Sequence, residues 1–204
     1  MARHYDQRRA RSRQRLIDAA SALLRSGGPG AVTVDAVIAR AGAGRATLYR
    51  HFTSGDDIPA AAFVELIPEA PHAPQSPDLQ DWLTKAVICQ AKAMATSPIL
   101  LAAMSWLASG KCQRSFDAKS ANSPADGSQL GLLCERVAEH TAALRVVLDS
   151  AQAARELRPF DHAEASTLLL GPVVLGILTH SEYFDYQVCA RHAVEGFIAA
   201  NRKQ

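Results

Sequence analysis

The stretch ARAGAGRATLYRHF, residues 39–52, decides how this chain is read. It interrupts an apolar helical pattern with two glycines, then crowds Arg45, Thr47, Tyr49, Arg50 and His51 around Leu48 and Phe52. Upstream, Thr33 has the side chain of an N-cap, and Val34, Val37, Ile38 and Ala41 fall on one helix face. Gly42 ends that helix, because glycine takes positive φ at the least cost. A short turn leads to a second helix. Leu48 and Phe52 are four apart and pack inward together, which sets Ala46 and Arg50 on the opposite side with Thr47 and Tyr49 on the flanks. Helix, tight glycine turn and short helix with a polar outer face is the helix-turn-helix plan.

A helix lying in the major groove of DNA needs donors for guanine and adenine edges, small apolar groups for thymine methyls, and donors for phosphates. Arg45 and Arg50 supply the first, Ala46 and the Thr47 methyl the second, Tyr49 and His51 the third. The same pattern also fits a solvated surface helix with Tyr49 and Phe52 in its core, and spacing alone does not separate the two. Charge bears on the choice. Residues 1–50 hold ten arginines, three aspartates, no lysine and no glutamate, a formal charge of +7. The whole chain stands at +2, so the other 154 residues carry −5. A basic quarter on an acidic body describes a polyanion-binding module joined to a part with another task.

The rest of the chain also reads as helical, which makes the expected fold all-α. Leu16, Ile17, Ala20, Leu23 and Leu24 recur at helical spacing before GGPG at 27–30 stops them. PEAPHAPQSPD, with four prolines, reads as a linker. Beyond it, one helix is traced from Leu79 to Met94 and a shorter one from Ile99 to Leu107. Residues 110–127 show no period and read as a mobile loop. A long helix follows from Leu133 to Ala151, ending near Pro159, which disfavours helix at Arg158. Asp161 can cap the next, AEASTLLLGPVVLGILTHS, and a last helix carries Val194, Phe197 and Ile198.

The segment TVDAVIARAGAGRATLYRHFTSGDDI, residues 33–58, resembles the DNA-binding domain of the tetracycline-repressor (TetR) family of bacterial transcription regulators. Thr33, Val37, Ile38, Ala39, Ala41, Gly42, Thr47, Leu48, Tyr49, His51 and Phe52 carry the likeness, in order and at fixed offsets, within residues 12–66. The resemblance implies a three-helix helix-turn-helix domain over 1–66 with a basic N-terminal arm, and a larger ligand-binding and dimerisation domain over 67–204. It implies a homodimer that binds a palindromic double-stranded DNA operator and acts as a ligand-released repressor. A helix-turn-helix activator, or a small-molecule binding protein with no regulatory DNA role, stays open as an alternative. The expected DNA-binding set is Thr33, Gly44, Arg45, Ala46, Thr47, Tyr49, Arg50 and His51, with Arg45, Ala46 and Thr47 on bases and Tyr49 and His51 on phosphates. Two positions depart from the family. Gly44 stands where a Ser or Thr cap is usual, and Gly55 where a lysine near the fourth helix meets phosphate.

The segment from Ala163 to Ser181 is apolar on nearly every side, so it needs cover from two directions. The expected subunit interface is therefore Leu169, Gly171, Val173, Gly176, Ile177, Val194 and Phe197, completing an intersubunit four-helix bundle. A small apolar or amphipathic effector is expected against Met94, Met104, Trp106 and Cys134, which offer adaptable or aromatic surface. No cofactor is called for. The histidines and the four cysteines lack metal-ligand spacing, and no nucleophile elbow or phosphate loop is present, so the chain does not read as an enzyme. Cysteines spaced without a disulfide framework and the lack of a signal peptide or sufficient apolar span point to the cytoplasm and away from the membrane.

Overall fold

The computed structural model describes residues 2–72, 74–111, 128–179 and 183–203, without the side chains of 2–6, 110 and 111. The described residues are helical and contain no strand, only an isolated bridge between Leu157 and Arg202. In chain order the helices are α1 (Ala2–Gly27), α2 (Val34–Ala41), α3 (Arg45–Tyr49), α4 (Asp57–Leu66), α5 (Leu79–Thr96) and α6 (Pro98–Trp106). They continue with α7 (Gln129–Leu148), α8 (Ala151–Glu156), α9 (His162–Thr179) and α10 (Tyr186–Asn201).

Two differences from the sequence pattern concern helix ends. The arginine-rich arm is the first half of α1, which runs unbroken for 26 residues. Its Ala, Arg and Gln are good helix formers, with no Gly or Pro before residue 27 to stop them. The long helix expected up to Pro159 is two. α7 ends at Leu148, and Ser150 caps α8 by accepting from the Ala153 amide at 3.1 Å. The loop expected over 110–127 falls outside the described residues from 112 on. Residues Leu107–Lys111 form a π-helical turn.

The chain forms two compact units, and the division does not fall at a single point near residue 66. The first comprises Met1–Pro68 and Ile99–Val137, the second Glu69–Pro98 and Ala138–Gln204. In the first, α1 packs on α4 and α2. Leu16, Ile17, Ala20 and Leu24 of α1 meet a core shared with Val37, Leu48, Phe52, Ile58 and Phe63, all buried. α4 begins with a reciprocal cap. The buried Asp57 carboxylate accepts from the Thr53 and Ser54 amides at 3.0 Å each, and the Ser54 hydroxyl accepts from the Asp57 amide at 3.2 Å.

In the second unit α9 and α10 pack on each other and on α5. The core there includes Leu83, Val87, Leu144, Leu169, Val173, Val194 and Phe197. Asp161 caps α9 by accepting from the Glu164 amide at 2.8 Å, and Asp185 caps α10 by accepting from the Gln187 and Val188 amides. α9 is long and apolar enough to cross a membrane by length and composition alone, but one of its sides is packed into this core.

That packing bears on the expected subunit interface. Leu169, Val173, Val194 and Phe197 are buried within one chain, and Ile177 is half-buried against the same core. Gly176 is also turned inward. A Cβ there would lie 2.1 Å from the Phe184 ring, so the glycine makes room for a side chain of its own subunit. Of the two glycines in that set, Gly171 has open space beside it. An all-round apolar helix hides which side faces inward. Packing resolves it, and the side left outside carries Leu168, Leu175 and Leu178, 51%, 63% and 65% exposed.

Candidate nucleic-acid interface

The helix-turn-helix is built by caps. The Thr33 hydroxyl oxygen accepts from the Ala36 amide at 3.2 Å and starts α2. At the other end Gly42 takes φ 59° and ψ 42°, the left-handed region, and the Ala43 amide closes back on the Ile38 carbonyl at 3.0 Å. Arg15 of α1 donates from Nη2 to the Ala41 carbonyl at 2.7 Å, supplying positive charge where the helix ends. Gly44 opens α3 in an extended conformation with no side chain to cap it, although a Cβ there would meet nothing within 4 Å.

Leu48 and Phe52 hold α3 to the core and are fully buried. With those two inward, Arg45, Ala46, Tyr49 and Arg50 are exposed, and Thr47 and His51 half-buried. Tyr49, at 50% exposed, is a surface residue rather than a core aromatic. Six of the eight sequence-selected residues thus lie together on α3 and the turn after it. Thr33 and Gly44 sit at the helix starts as caps.

The structure adds residues that spacing did not select. Arg9 and Arg13 of α1 stand near His51, and the Arg13 guanidinium lies over the Phe52 ring, 5.9 Å from its centroid. Burial first, and then the charges of Arg9, Arg13 and Arg50, hold the His51 imidazole below its usual value of 6.5. The two halves of the basic segment, α1 and α3, therefore share one positive surface. Arg45 is ion-paired with Asp35 of α2. The only sequence signal for Asp57 was the spacing Ser-x-x-Asp at 54–57. Gly55 lies inside that cap, exposed, with Val34 Cγ2 the nearest atom to a Cβ there at 3.9 Å.

The residues expected around an effector are less unified. Met94 belongs to the second compact unit, Met104, Trp106 and Cys134 to the first. Trp106 is buried with its ring centroid 5.7 Å from that of Phe63, a core contact. Among the described residues no group of three or more His, Cys, Asp or Glu side chains is placed to hold a metal ion.

A chain that is helical through its described residues, and whose N-terminal part presents a short cationic helix after a glycine turn, has the architecture of a helix-turn-helix DNA-binding protein. Residues 16–62 match the family model of bacterial regulatory proteins, tetR family. The chain superposes on a TetR transcriptional regulator from Agrobacterium tumefaciens with TM-score 0.63 and 22% identity, covering 95% of each chain. A TetR family regulator from Marinobacter aquaeolei VT8 aligns with TM-score 0.54 and 17% identity over 98% of this chain and 100% of its own. Comparison with curated protein sequences gave no match. Residues 16–62 are thus a tetR-family DNA-binding domain, and the chain that carries it shares the fold of the TetR regulators on which it superposes.

Proposed function

We propose that the protein is a homodimeric transcriptional repressor that binds a palindromic operator through paired α3 helices and releases it on binding a small apolar or amphipathic effector. The observation that carries this reading is the outer face of α3. Arg45, Ala46, Tyr49 and Arg50 are exposed there beside Arg9, Arg13 and His51, while the inner face is spent on Leu48 and Phe52. Such a surface offers phosphate donors at its edges and base-reading groups at its centre. Arg45, Ala46 and Thr47 take the base edges, and Tyr49 and His51 the backbone.

Dimerisation is supported by α9. Leu168, Gly171, Leu175 and Leu178 follow a three-four repeat along its outward side, an apolar seam suited to a second copy of the same helix. Release by an effector fits the charge division of the sequence, a basic segment over residues 1–50 joined to 154 residues that carry −5.

A mobility-shift titration with the DNA flanking the protein's own coding sequence tests the reading. It should give a complex that resists an excess of unrelated duplex and contains two subunits or a multiple of two. A complex competed equally by any duplex would overturn it.

A further inference from the structure

The ion pair between Arg45 and Asp35 spans the turn of the helix-turn-helix, joining the first residue of α3 to the second of α2. Both side chains are well exposed, 59% and 74%, and a pair in that setting contributes little to folding. Its effect falls on the arginine. A guanidinium carries five N–H donors in a planar fork, and the carboxylate engages one nitrogen, Nη2. The donors that remain are enough for a two-bond contact to the O6 and N7 of guanine. A free arginine loses rotamer freedom when it makes that contact, and one already held by a carboxylate has lost part of it beforehand.

The carboxylate has a second effect of opposite sign. Placed beside the DNA-reading helix, it is repelled by phosphates whatever the base sequence, so it weakens binding to unrelated DNA. We propose that Asp35 is a positioning residue for Arg45, fixing the guanidinium for one guanine in each half-site and lowering affinity for other sequences. This rests on the reading of α3 as the base-reading helix. The alternative role for Asp35 is local, since an acidic residue in the first turn of α2 favours that helix through its dipole. That role would move thermal stability and leave base preference untouched.

The test uses the full chain and a random-sequence duplex library. Wild type selects an operator, and affinities are then measured for that duplex, its single-base variants and an unrelated duplex. Arg45→Ala should lose discrimination at one guanine per half-site by about five- to 150-fold. Asp35→Asn should lose it at the same guanine by about three- to tenfold, less because the guanidinium is still present. It should also bind the unrelated duplex more tightly than wild type. Asp35→Glu, which keeps the carboxylate, should retain the preference, and Asp35→Asn combined with Arg45→Ala should show the base preference of Arg45→Ala alone. An operator whose guanine preference survives Asp35→Asn, or changes at a different base pair, overturns the role of Asp35 while leaving α3 as the reader. A wild type that enriches no sequence overturns both.

Discussion

Arg15 of α1 donates from Nη2 to the carbonyl oxygen of Ala41, 2.7 Å away, and so closes the end of α2 at the turn that aims α3. The bond joins the end of the arginine-rich arm to the helix-turn-helix, and it gives one arginine in that run a structural task. Arg15→Ala removes a charged donor from a helix C-terminus, at a cost of about 1 kcal/mol. The expected result is a lower melting temperature and weaker binding to every duplex alike, with the same selected operator. A changed operator would place Arg15 on the bases.

If His51 meets a phosphate, as proposed, DNA binding should depend on pH. In the free protein burial and then Arg9, Arg13 and Arg50 disfavour its cation, whereas a phosphate beside it would favour the cation. The bound complex then holds more protons than the free protein, so affinity rises as pH falls toward and below 6.5. Folding runs the other way. With the folded-state pKa lowered, the unfolded chain takes the proton first, and the stability contributed by the neutral ring is present above 6.5 and lost as pH falls past it. Binding titrations from about pH 8 to about pH 6 should show a gain for wild type that His51→Gln lacks. Parallel curves for the two proteins would remove His51 from the interface.

Gly176 and Leu175 are neighbours with opposite roles. Gly176→Ala drives a methyl into the Phe184 ring and should destabilise the chain by about 1 to 3 kcal/mol, relieved in part by Phe184→Ala. Leu175→Asp puts a charge on the exposed seam of α9, where a single chain tolerates it. Light scattering should find monomers for Leu175→Asp with little change in the helical signal. A dimer that survives Leu175→Asp would move the interface off α9.

A Cβ at Gly55, within the cap of α4, would meet only Val34 Cγ2 at 3.9 Å, an ordinary contact, so a longer side chain fits. Gly55→Lys should add one phosphate contact per subunit and steepen the slope of log affinity against log salt by about 0.9, or about 1.8 for a dimer on two half-sites. The selected operator should not change, since phosphate contacts position without reading bases. An unchanged slope would mean that the loop turns away from the duplex.

The DNA-facing part of this architecture was open to reading from sequence because its signals are local. Thr33 as cap, Gly42 at positive φ, and Leu48 and Phe52 four apart each depend on residues within one or two turns. The contacts of Arg15 with Ala41, and of Arg9 and Arg13 with the surroundings of His51, join residues 26 to 42 positions apart, and no periodicity records them. The inward side of α9 was not legible for a different reason. Where every face of a helix is apolar, the phase of burial is set by partners such as Phe184, and Leu169 and Leu168 look alike until the helix is packed. The break at Ser150 was signalled by a capping residue, but the apolar repeat running across it masked the signal.

Guanine methylation interference combined with backbone footprinting on the selected operator tests the account most directly. Paired α3 helices in successive major grooves predict two symmetry-related sets of interfering guanines on one face of the duplex. Their centres should lie about 34 to 36 Å apart or at a multiple of that spacing, and the interference at one guanine in each set should vanish with Arg45→Ala. Protection of the backbone alone, with no guanine whose methylation weakens binding, would contradict the claim that α3 reads bases.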